Sequence, residues 1–500
     1  MADKILAVGK EMTIAHRFGI SPVLDVFNVA QAFPLTLVQF FSSALLAAFM
    51  PLYLEWRIRG SSREADSHAT WLIFLAAAFF AVLTLICVSL SPIIIQLTGY
   101  GFAYKERQMG IVMQQLLSLL IFVDGAGILF RGILHARKMF FHLYVAPIFV
   151  NLTIVLSLSF SVGFGIHTLI WAFLAGTLLK TIYMGIALRH EGVRFGTPFP
   201  FDRKKVGAVW YLALPLLGSE LVANSNLLID QAMATLLPAG SVSTLRYAFR
   251  INDLPIQVVI AAVSIAIFPF ISEEIAAGRR DNLKNIFKYS LIFVGFLTIP
   301  ITCLVVLFAQ DIVIVLLKRG AFDLEAARQT AQTLIFYSLG LFFYAYAFIN
   351  GTFFVALQNT KALLHMGILS VFLNALLNYL FMSVFGIKGI ALSTSVTMGI
   401  ISIRFIYLLK QHMGMTNLAE TLFSFGRLLL AAAGMLVTAL AVITLFEYAG
   451  VSRLVAVPLS AVVSCLCYLG IIWAFRTEDL DACISVLTKK VTAWKEALFR

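Results

Sequence analysis

Apolar runs as long as a bilayer demands recur along the whole chain, separated by short polar stretches. A helix needs roughly 20 apolar residues to cross the hydrocarbon core. By that measure, spans are predicted at 5–20, 26–54, 71–95, 109–134, 140–162, 166–188, 207–237, 242–274, 286–308, 327–356, 362–385, 388–409, 421–447 and 452–475, fourteen in all. The first is short and polar, carrying Lys10, Glu11, His16 and Arg17. Several others exceed the bilayer thickness and must tilt, bend or project beyond it. Pro34, Pro215 and Pro255 fall inside spans and mark candidate bends. After the last span, Leu480, Ile484, Leu487, Val491, Trp494 and Leu498 recur every three or four positions among Lys489, Lys490, Lys495 and Arg500. That period predicts an amphipathic helix over 477–500, lying on the inner leaflet.

The pattern also repeats. Lys138, Asn151 and Gly163 are spaced by 13 and 12, and Lys361, Asn374 and Gly386 reproduce the spacing 223 residues later. Each copy continues as an apolar helix ending in a Gly-containing turn. Duplicated hydrophobic helices are a mark of transporters whose halves rock about a midplane site.

Composition narrows the class. Hydrophobic residues make up 61% of the chain and charged residues 12%, against about 45–50% and about 25% in soluble domains. An all-α polytopic membrane protein of about fourteen transmembrane helices is expected. No small-residue cleavage site follows the first apolar stretch, so no cleavable signal peptide is predicted. The five cysteines (Cys87, Cys303, Cys465, Cys467, Cys483) have no zinc-type spacing and read as small hydrophobes. No metal site, phosphate-cradling Gly loop or nucleophile elbow is present, and no interspan segment is long enough for a soluble catalytic domain.

The net charge of +12 sits largely in short loops. Arg57, Arg59 and Arg63, Arg137 and Lys138, Arg189 to Lys205, Arg279 to Lys284, Lys361 and Lys410 alternate with loops that carry few bases. The positive-inside rule then predicts cytoplasmic termini and contacts with anionic lipid, not nucleic acid.

Ionisable residues inside spans are costly, so each is a functional candidate. The densest group is Glu220, Asp230, Arg246, Arg250 and Asp253, with Asn224 and Asn226 alongside. Arg246 and Arg250 are four apart on one helix face, and Asp253 can pair with Arg250. A guanidinium fork suits phosphate or carboxylate. The acids can tune such a site or bind a coupling cation. The alternative is a helix-packing ion pair, with Arg246 snorkelling to an interface. Asp124 and Arg131 share a face but are too far apart to pair simply. Lys10, Glu11, Arg17 and Asp25 surround the first span, which is either functional or partly interfacial. Asn151, Asn374 and Asn378 read as interhelical hydrogen-bonding residues.

Several stretches carry a family resemblance. His16–Gly19 precedes Asp25–Ala30, then Phe33–Pro34 and Ala48–Glu55; later come Gly240–Ser243, Arg246–Arg250, Leu254–Pro255, Ile267–Pro269 and Ala356–Lys361. Over the first twelve spans the chain resembles the MurJ/MviN lipid II flippases of the multidrug/oligosaccharidyl-lipid/polysaccharide exporter superfamily. The resemblance implies two pseudo-symmetric six-helix lobes forming a V around a cationic cavity, plus two extra C-terminal helices. That gives an N-terminal lobe at 1–190, a cytoplasmic linker at 191–205, a C-terminal lobe at 206–412, extra spans at 413–476 and the tail at 477–500. It implies a multi-pass protein of the bacterial inner membrane, not an enzyme, that flips an undecaprenyl-diphosphate-linked glycan by alternating access. No cofactor is expected, only coupling to membrane potential, H+ or Na+. The implied partners are the lipid-linked glycan, membrane lipids and envelope-biosynthesis proteins.

Carried over by position, the resemblance places the diphosphate on Arg250, Lys10 and Arg246. Charge balance or ion coupling falls to Glu11, Asp25, Asp124, Glu220, Asp230 and Asp253. Two departures stand out. The middle of the second span, Leu37 to Ala44, lacks the family's basic residues. The family's N-terminal extension is also missing, which implies a late start or a short first helix. The first departure favours a relative that moves another lipid-linked glycan, such as an exopolysaccharide repeat unit. A cation-coupled drug exporter of the same superfamily is the second reading, and a membrane-embedded glycan polymerase the third.

Overall fold

The computed structural model describes residues 2–160, 165–196, 202–413 and 419–475. The predicted tail helix and Gly163 lie outside the described residues, as does the side chain of Glu220. Among the described residues the secondary structure is helical. The first eight helices are α1 (Ala2–Phe18), α2 (Pro22–Arg59), α3 (Ser62–Ser89), α4 (Ser91–Thr98), α5 (Tyr104–Ala136), α6 (Phe140–Phe160), α7 (Gly165–His190) and α8 (Arg203–Ala234). Then come α9 (Ser241–Pro255), a π-helical turn at Ile256–Ile260, α10 (Ala261–Ala276), α11 (Arg280–Leu307), α12 (Ala309–Leu317), α13 (Leu324–Ser338) and α14 (Leu341–Ala356). The last four are α15 (Thr360–Phe385), α16 (Ile387–Met413), α17 (Ala419–Tyr448) and α18 (Arg453–Ala474).

Eleven helical segments are long and apolar enough to cross a membrane among the described residues, or twelve if α13 and α14 form one bent span. The remaining two of the fourteen predicted spans are α1 and α8. They are helical but outside that count.

The helices fall into two compact units. Residues 1–245 and 316–326 form the first; residues 246–315 and 327–500 form the second. The division differs from the one at the 191–205 linker: α8 belongs to the first unit, where it packs on α2 and α4, and the boundary falls inside α9.

In the first unit α2 and α5 run along each other. Ser21 starts α2 by accepting from the Leu24 amide, with Pro22 in the first turn, where a missing N–H costs nothing. Pro34 and Pro51 lie inside α2 without interrupting it. Phe49, Tyr53, Phe80 and Leu129 are fully buried in its core. Gly125 and Gly132 make room: a Cβ on either would stand 2.4 Å and 2.6 Å from the Phe80 and Phe49 rings. At one end of this core, Asp66 accepts from Tyr53 Oη at 2.8 Å, Arg137 Nη2 at 2.7 Å and the Arg194 amide at 3.2 Å. Burial works against the Arg137 charge, yet the Tyr53 hydroxyl and the Asp66 carboxylate hold its guanidinium above its ordinary value.

In the second unit Ile260, Phe287, Phe353, Phe354 and Leu409 are fully buried in one cluster. The added helices α17 and α18 pack on each other and on α11, through Leu428, Met435 and Tyr468.

The predicted span 327–356 is broken. α13 and α14 meet at an angle of 47°. Gly340 sits at the break because another chain segment occupies the space of a side chain: a Cβ there would lie 2.4 Å from Ser395 Oγ and 2.5 Å from Ser395 Cα. Ser395 in turn donates to the Phe336 carbonyl at 2.6 Å and lies 3.2 Å from that of Tyr337. Such freed backbone groups have no water to turn to in a membrane.

The repeat is visible, in a different register. Lys138 and Gln358 are the two non-glycine residues with left-handed backbone among the described residues. Met139 N bonds to Leu134 O, and Asn359 N to Phe354 O, closing equivalent turns. The turns therefore correspond at an offset of 220, whereas Lys138/Lys361 and Asn151/Asn374 match at 223. The difference of three residues is close to one helical turn, so the matched side chains keep similar faces while the helices slide along their axes.

Gly340→Ala is expected to cost about 1–3 kcal/mol by overpacking. Ser395→Gly should not rescue it, because the clash is also with the Ser395 Cα. Thermal melts of the two variants and their combination check this; recovery in the double variant would place the clash on the hydroxyl alone.

Candidate functional site

The polar side chains inside the spans divide into those already satisfied and those that are not. On α1, Lys10 pairs with Glu11 at 3.3 Å, and both are mostly buried. The Lys10 ammonium also lies 5.7 Å from the centre of the Phe173 ring, at cation–π range. α1 rests on α6. Asn151 donates to Asp3 Oδ1 at 2.9 Å, and Arg17 Nε donates to the Leu158 carbonyl at 2.9 Å near the end of α6. Asn151 is thus an interhelical hydrogen-bonding residue, as its sequence context suggested.

Asp25 is 3% exposed. Its carboxylate accepts from the Gly240 amide at 2.6 Å, the Ser243 amide at 2.7 Å and Ser243 Oγ at 2.5 Å. Asn28, one turn further along α2, donates to Ser243 Oγ at 3.3 Å. These amides open α9, so α2 supplies the cap for a helix 215 residues away. A carboxylate at a helix N-terminus satisfies orphan N–H groups and the positive end of the dipole together. Gly240 has a left-handed backbone (φ +93°), and a Cβ there would stand 2.8 Å from the Ile20 carbonyl oxygen. The turns at Gly19 (φ +57°) and Gly320 (φ +57°) meet similarly: the Ala321 amide donates to the His16 carbonyl at 2.8 Å, and neither glycine has room for a Cβ.

Asp124 and Arg131 were expected to be too far apart to pair, and the structure corrects this. Arg131 Nη2 comes within 3.6 Å of Asp124 Oδ1. Two turns separate them, but long side chains in a helix lean towards its N-terminus, which brings Arg131 back over Asp124. Lys180 on α7, which sequence reasoning missed, takes the same oxygen at 2.7 Å. Its charge inside the span 166–188 was the available signal.

Asp230 on α8 is 5% exposed. Glu220 lies on the same helix. On α9, Arg246 is half-buried and Arg250 is exposed. The Arg250–Asp253 pair that the spacing allowed does not form. Asp253 lines a small, mostly apolar cavity of about 10 Å³ together with Phe249, Ile256, Tyr337, Tyr344 and Met398. Among the described residues, Arg250 makes no hydrogen bond or ion pair. Pro255 ends α9, and the helix continues through the π turn at Ile256–Ile260 into α10, so the proline changes the hydrogen-bond register without interrupting the span. On α15 and α16, Asn378 donates to Asn374 at 3.2 Å and accepts from Ser393. No group of three or more His, Cys, Asp or Glu side chains that could hold a metal occurs among the described residues.

The middle of α2 is uncharged, as the sequence indicated. Its exposed face there presents Gln39, Ser43 and Ala47 at successive turns.

The chain is similar to several known proteins. The profile of a family described as "Lipid II flippase MurJ" matches residues 14–459. The probable lipid II flippase MurJ of Rhizobium tropici is 28% identical over 409 residues, covering 79% of this chain and 76% of the relative. That of Bdellovibrio bacteriovorus is 23% identical over 491 residues, covering 96% and 94%. Among solved structures, a lipid II flippase MurJ in an inward closed conformation aligns with a TM-score of 0.81 at 24% identity, covering 95% of this chain and 97% of that one. An inward-facing multidrug resistance MATE family transporter aligns with a TM-score of 0.73 at 13% identity, covering 82% and 94%.

Asp25→Ala should leave the Gly240 and Ser243 amides without their acceptor, at a cost of about 1–3 kcal/mol. Hydrogen exchange is expected to speed up over 238–246 and to stay unchanged over α5. Unaltered exchange at the start of α9 would show that the carboxylate contributes nothing to the cap.

Proposed function

We infer that this chain, which belongs to the lipid II flippase MurJ family, moves a polyprenyl-diphosphate-linked glycan precursor across the bacterial inner membrane by alternating access, with both termini in the cytoplasm. The observation that carries the reading is Arg250. It is an exposed guanidinium, without an ion pair among the described residues, on a helical segment apolar enough to span the bilayer. Such a group is expensive in a membrane unless a ligand meets it. Its planar fork matches two phosphate oxygens.

Arg250 is the principal diphosphate contact in this reading. Lys10, on α1 in the first unit, is already paired with Glu11 and takes no part in this contact. Arg246 stands one turn before Arg250 and supports it. Asp253, set in its own pocket, is the acid best placed to take up a proton or monovalent cation. Asp25 acts differently: as the cap of α9 it holds the arginine-bearing helix by its first turn. Coupling to membrane potential is sufficient in magnitude. One unit charge crossing 100 mV is worth about 2.3 kcal/mol, or about 50-fold in a two-state equilibrium.

The glycan is the less constrained part. The exposed middle of α2 offers an amide and a hydroxyl, Gln39 and Ser43, in place of charge. Neutral hydrogen-bonding groups suit sugar hydroxyls. This favours a cargo with fewer charges than lipid II, such as an exopolysaccharide repeat unit, over lipid II itself. Export of organic cations, the second reading, is disfavoured by an arginine with no ion pair among the described residues.

Arg250→Glu should abolish transport while leaving membrane insertion intact, and Arg250→Lys should retain part of it, keeping charge but losing the fork. The measurement is translocation of a diphosphate-linked glycan in proteoliposomes, beside complementation of a strain depleted of its lipid II flippase. Normal transport by Arg250→Glu would remove the assignment. Transport without complementation would point to a glycan other than lipid II.

A further inference from the structure

The α6–α7 pair of the first unit carries a groove that takes no part in the reading above. Gly176 sets its lower limit. A Cβ there would stand 2.8 Å from Val150 Cα, so the two backbones touch at this level. Beyond that contact, towards Phe160 and Gly165, lies a groove of about 670 Å³. Ser157 and Phe160 of α6 line it, with His167, Trp171, Ala172 and Ala175 of α7. Its volume is in the range of small-ligand sites, about 300–1,000 Å³. Small side chains leave the space open: serine and alanine stand at three of these positions, where larger apolar residues would close it.

The surroundings define the medium. Leu152 and Leu156 on α6 and Leu178, Leu179 and Ile182 on α7 are exposed. Both helices are long and apolar enough to cross a membrane. A contiguous apolar surface on such helices faces hydrocarbon. The groove is also one leaflet deep. From Gly165, where α7 begins, to Ala175 is ten residues, about 15 Å of helical rise and half of a hydrocarbon core of about 30 Å. Trp171, 56% exposed and one turn from His167, has the amphipathic ring that suits the boundary between headgroups and chains.

The mouth of the groove is positive. No Asp or Glu occurs between Asp124 and Glu191, so α6 and α7 are free of acids. Arg17 is exposed, and its Nε donates to the Leu158 carbonyl at 2.9 Å, two residues before Phe160. His167 is exposed in the first turn of α7, where the helix dipole adds its positive end. An anion is favoured at this end, and hydrocarbon along the rest.

We propose that the groove is a phospholipid site. One acyl chain lies along Trp171, Ala172 and Ala175, and the headgroup phosphate sits at the mouth, near His167 and within the field of Arg17. With both termini in the cytoplasm, as proposed above, this is the extracytoplasmic leaflet. The site depends on α6 and α7 crossing the bilayer and is independent of the cargo.

The test uses the full-length protein in neutral detergent. Phosphatidylglycerol, neutral diacylglycerol and inorganic phosphate are titrated separately, and bound equivalents are read by native mass spectrometry. Ala175→Phe fills the groove from an exposed position and should weaken phosphatidylglycerol binding at least about tenfold. Leu178→Phe, on the next turn of α7 and outside the groove, should leave binding unchanged. Arg17→Gln should weaken phosphatidylglycerol about fivefold and leave diacylglycerol unaffected, a split that general destabilisation does not produce. Equal binding of phosphatidylglycerol by the native protein and Ala175→Phe overturns the proposal. So does diacylglycerol or inorganic phosphate binding as tightly as phosphatidylglycerol. A protein dimer that Ala175→Phe dissociates overturns it too, by giving the groove to a second copy of the chain.

Discussion

Lipid offers no hydrogen bonds, and that constraint organises this protein. A continuous helix meets it alone; every interruption needs a donor or acceptor from elsewhere in the chain. The interruptions here are met by individual side chains. Ser395 on α16 serves two carbonyls at the break between α13 and α14. Asp25 on α2 serves the amides that open α9. Arg17 on α1 serves the Leu158 carbonyl of α6, and Thr235, just after α8, serves the Gly101 amide. Each of these ties two elements distant in sequence. A break repaired in this way is held by one or two hydrogen bonds rather than by a ladder, so it is also where the structure is cheapest to rearrange.

The same constraint ranks the charges. Asp66 meets Arg137, Tyr53 and a backbone amide, and Lys10 meets Glu11. Such buried pairs add little net stability, because desolvation offsets their attraction. Removing one partner is what costs. Paired charges therefore explain how helices are fixed, and they say little about ligands. An incompletely paired charge is different. Arg250 is such a charge: among the described residues it makes no hydrogen bond or ion pair. It is the position where the chemistry of a ligand can be read.

The span pattern was the most legible level. Every predicted apolar run is helical, because twenty apolar residues in succession leave the backbone no other solution in lipid. The break at Gly340 was not legible. No proline marks it, and its cause is the approach of Ser395, 55 residues away in the chain. The repeat was seen through Lys138 and Lys361, but the turns that define it are set by backbone conformation at Lys138 and Gln358, which side-chain identity does not report. Spacing allowed Arg250 to pair with Asp253. In the structure Asp253 lines a cavity with Tyr337, Tyr344 and Thr394 and does not pair with Arg250. Asp124 was found as an intramembrane charge, while its partner Lys180 was missed, because the two are 56 residues apart.

Fold similarity alone cannot choose the cargo. A multidrug transporter shares this architecture at 13% identity, so the helix arrangement survives replacement of most side chains. Charge sign is the better discriminator. An exporter of organic cations needs acids and aromatic faces to offset the charge it carries. Here α9 presents an exposed arginine with no ion pair among the described residues, while Asp253, three residues on, lines a small cavity with Tyr337 and Tyr344. A free cation and a cationic cargo on one helix would repel each other in a medium that screens poorly. An anionic head would remove that repulsion and supply acceptors to the guanidinium, which favours the proposed diphosphate over a positively charged substrate, given that Arg250 has no ion pair among the described residues.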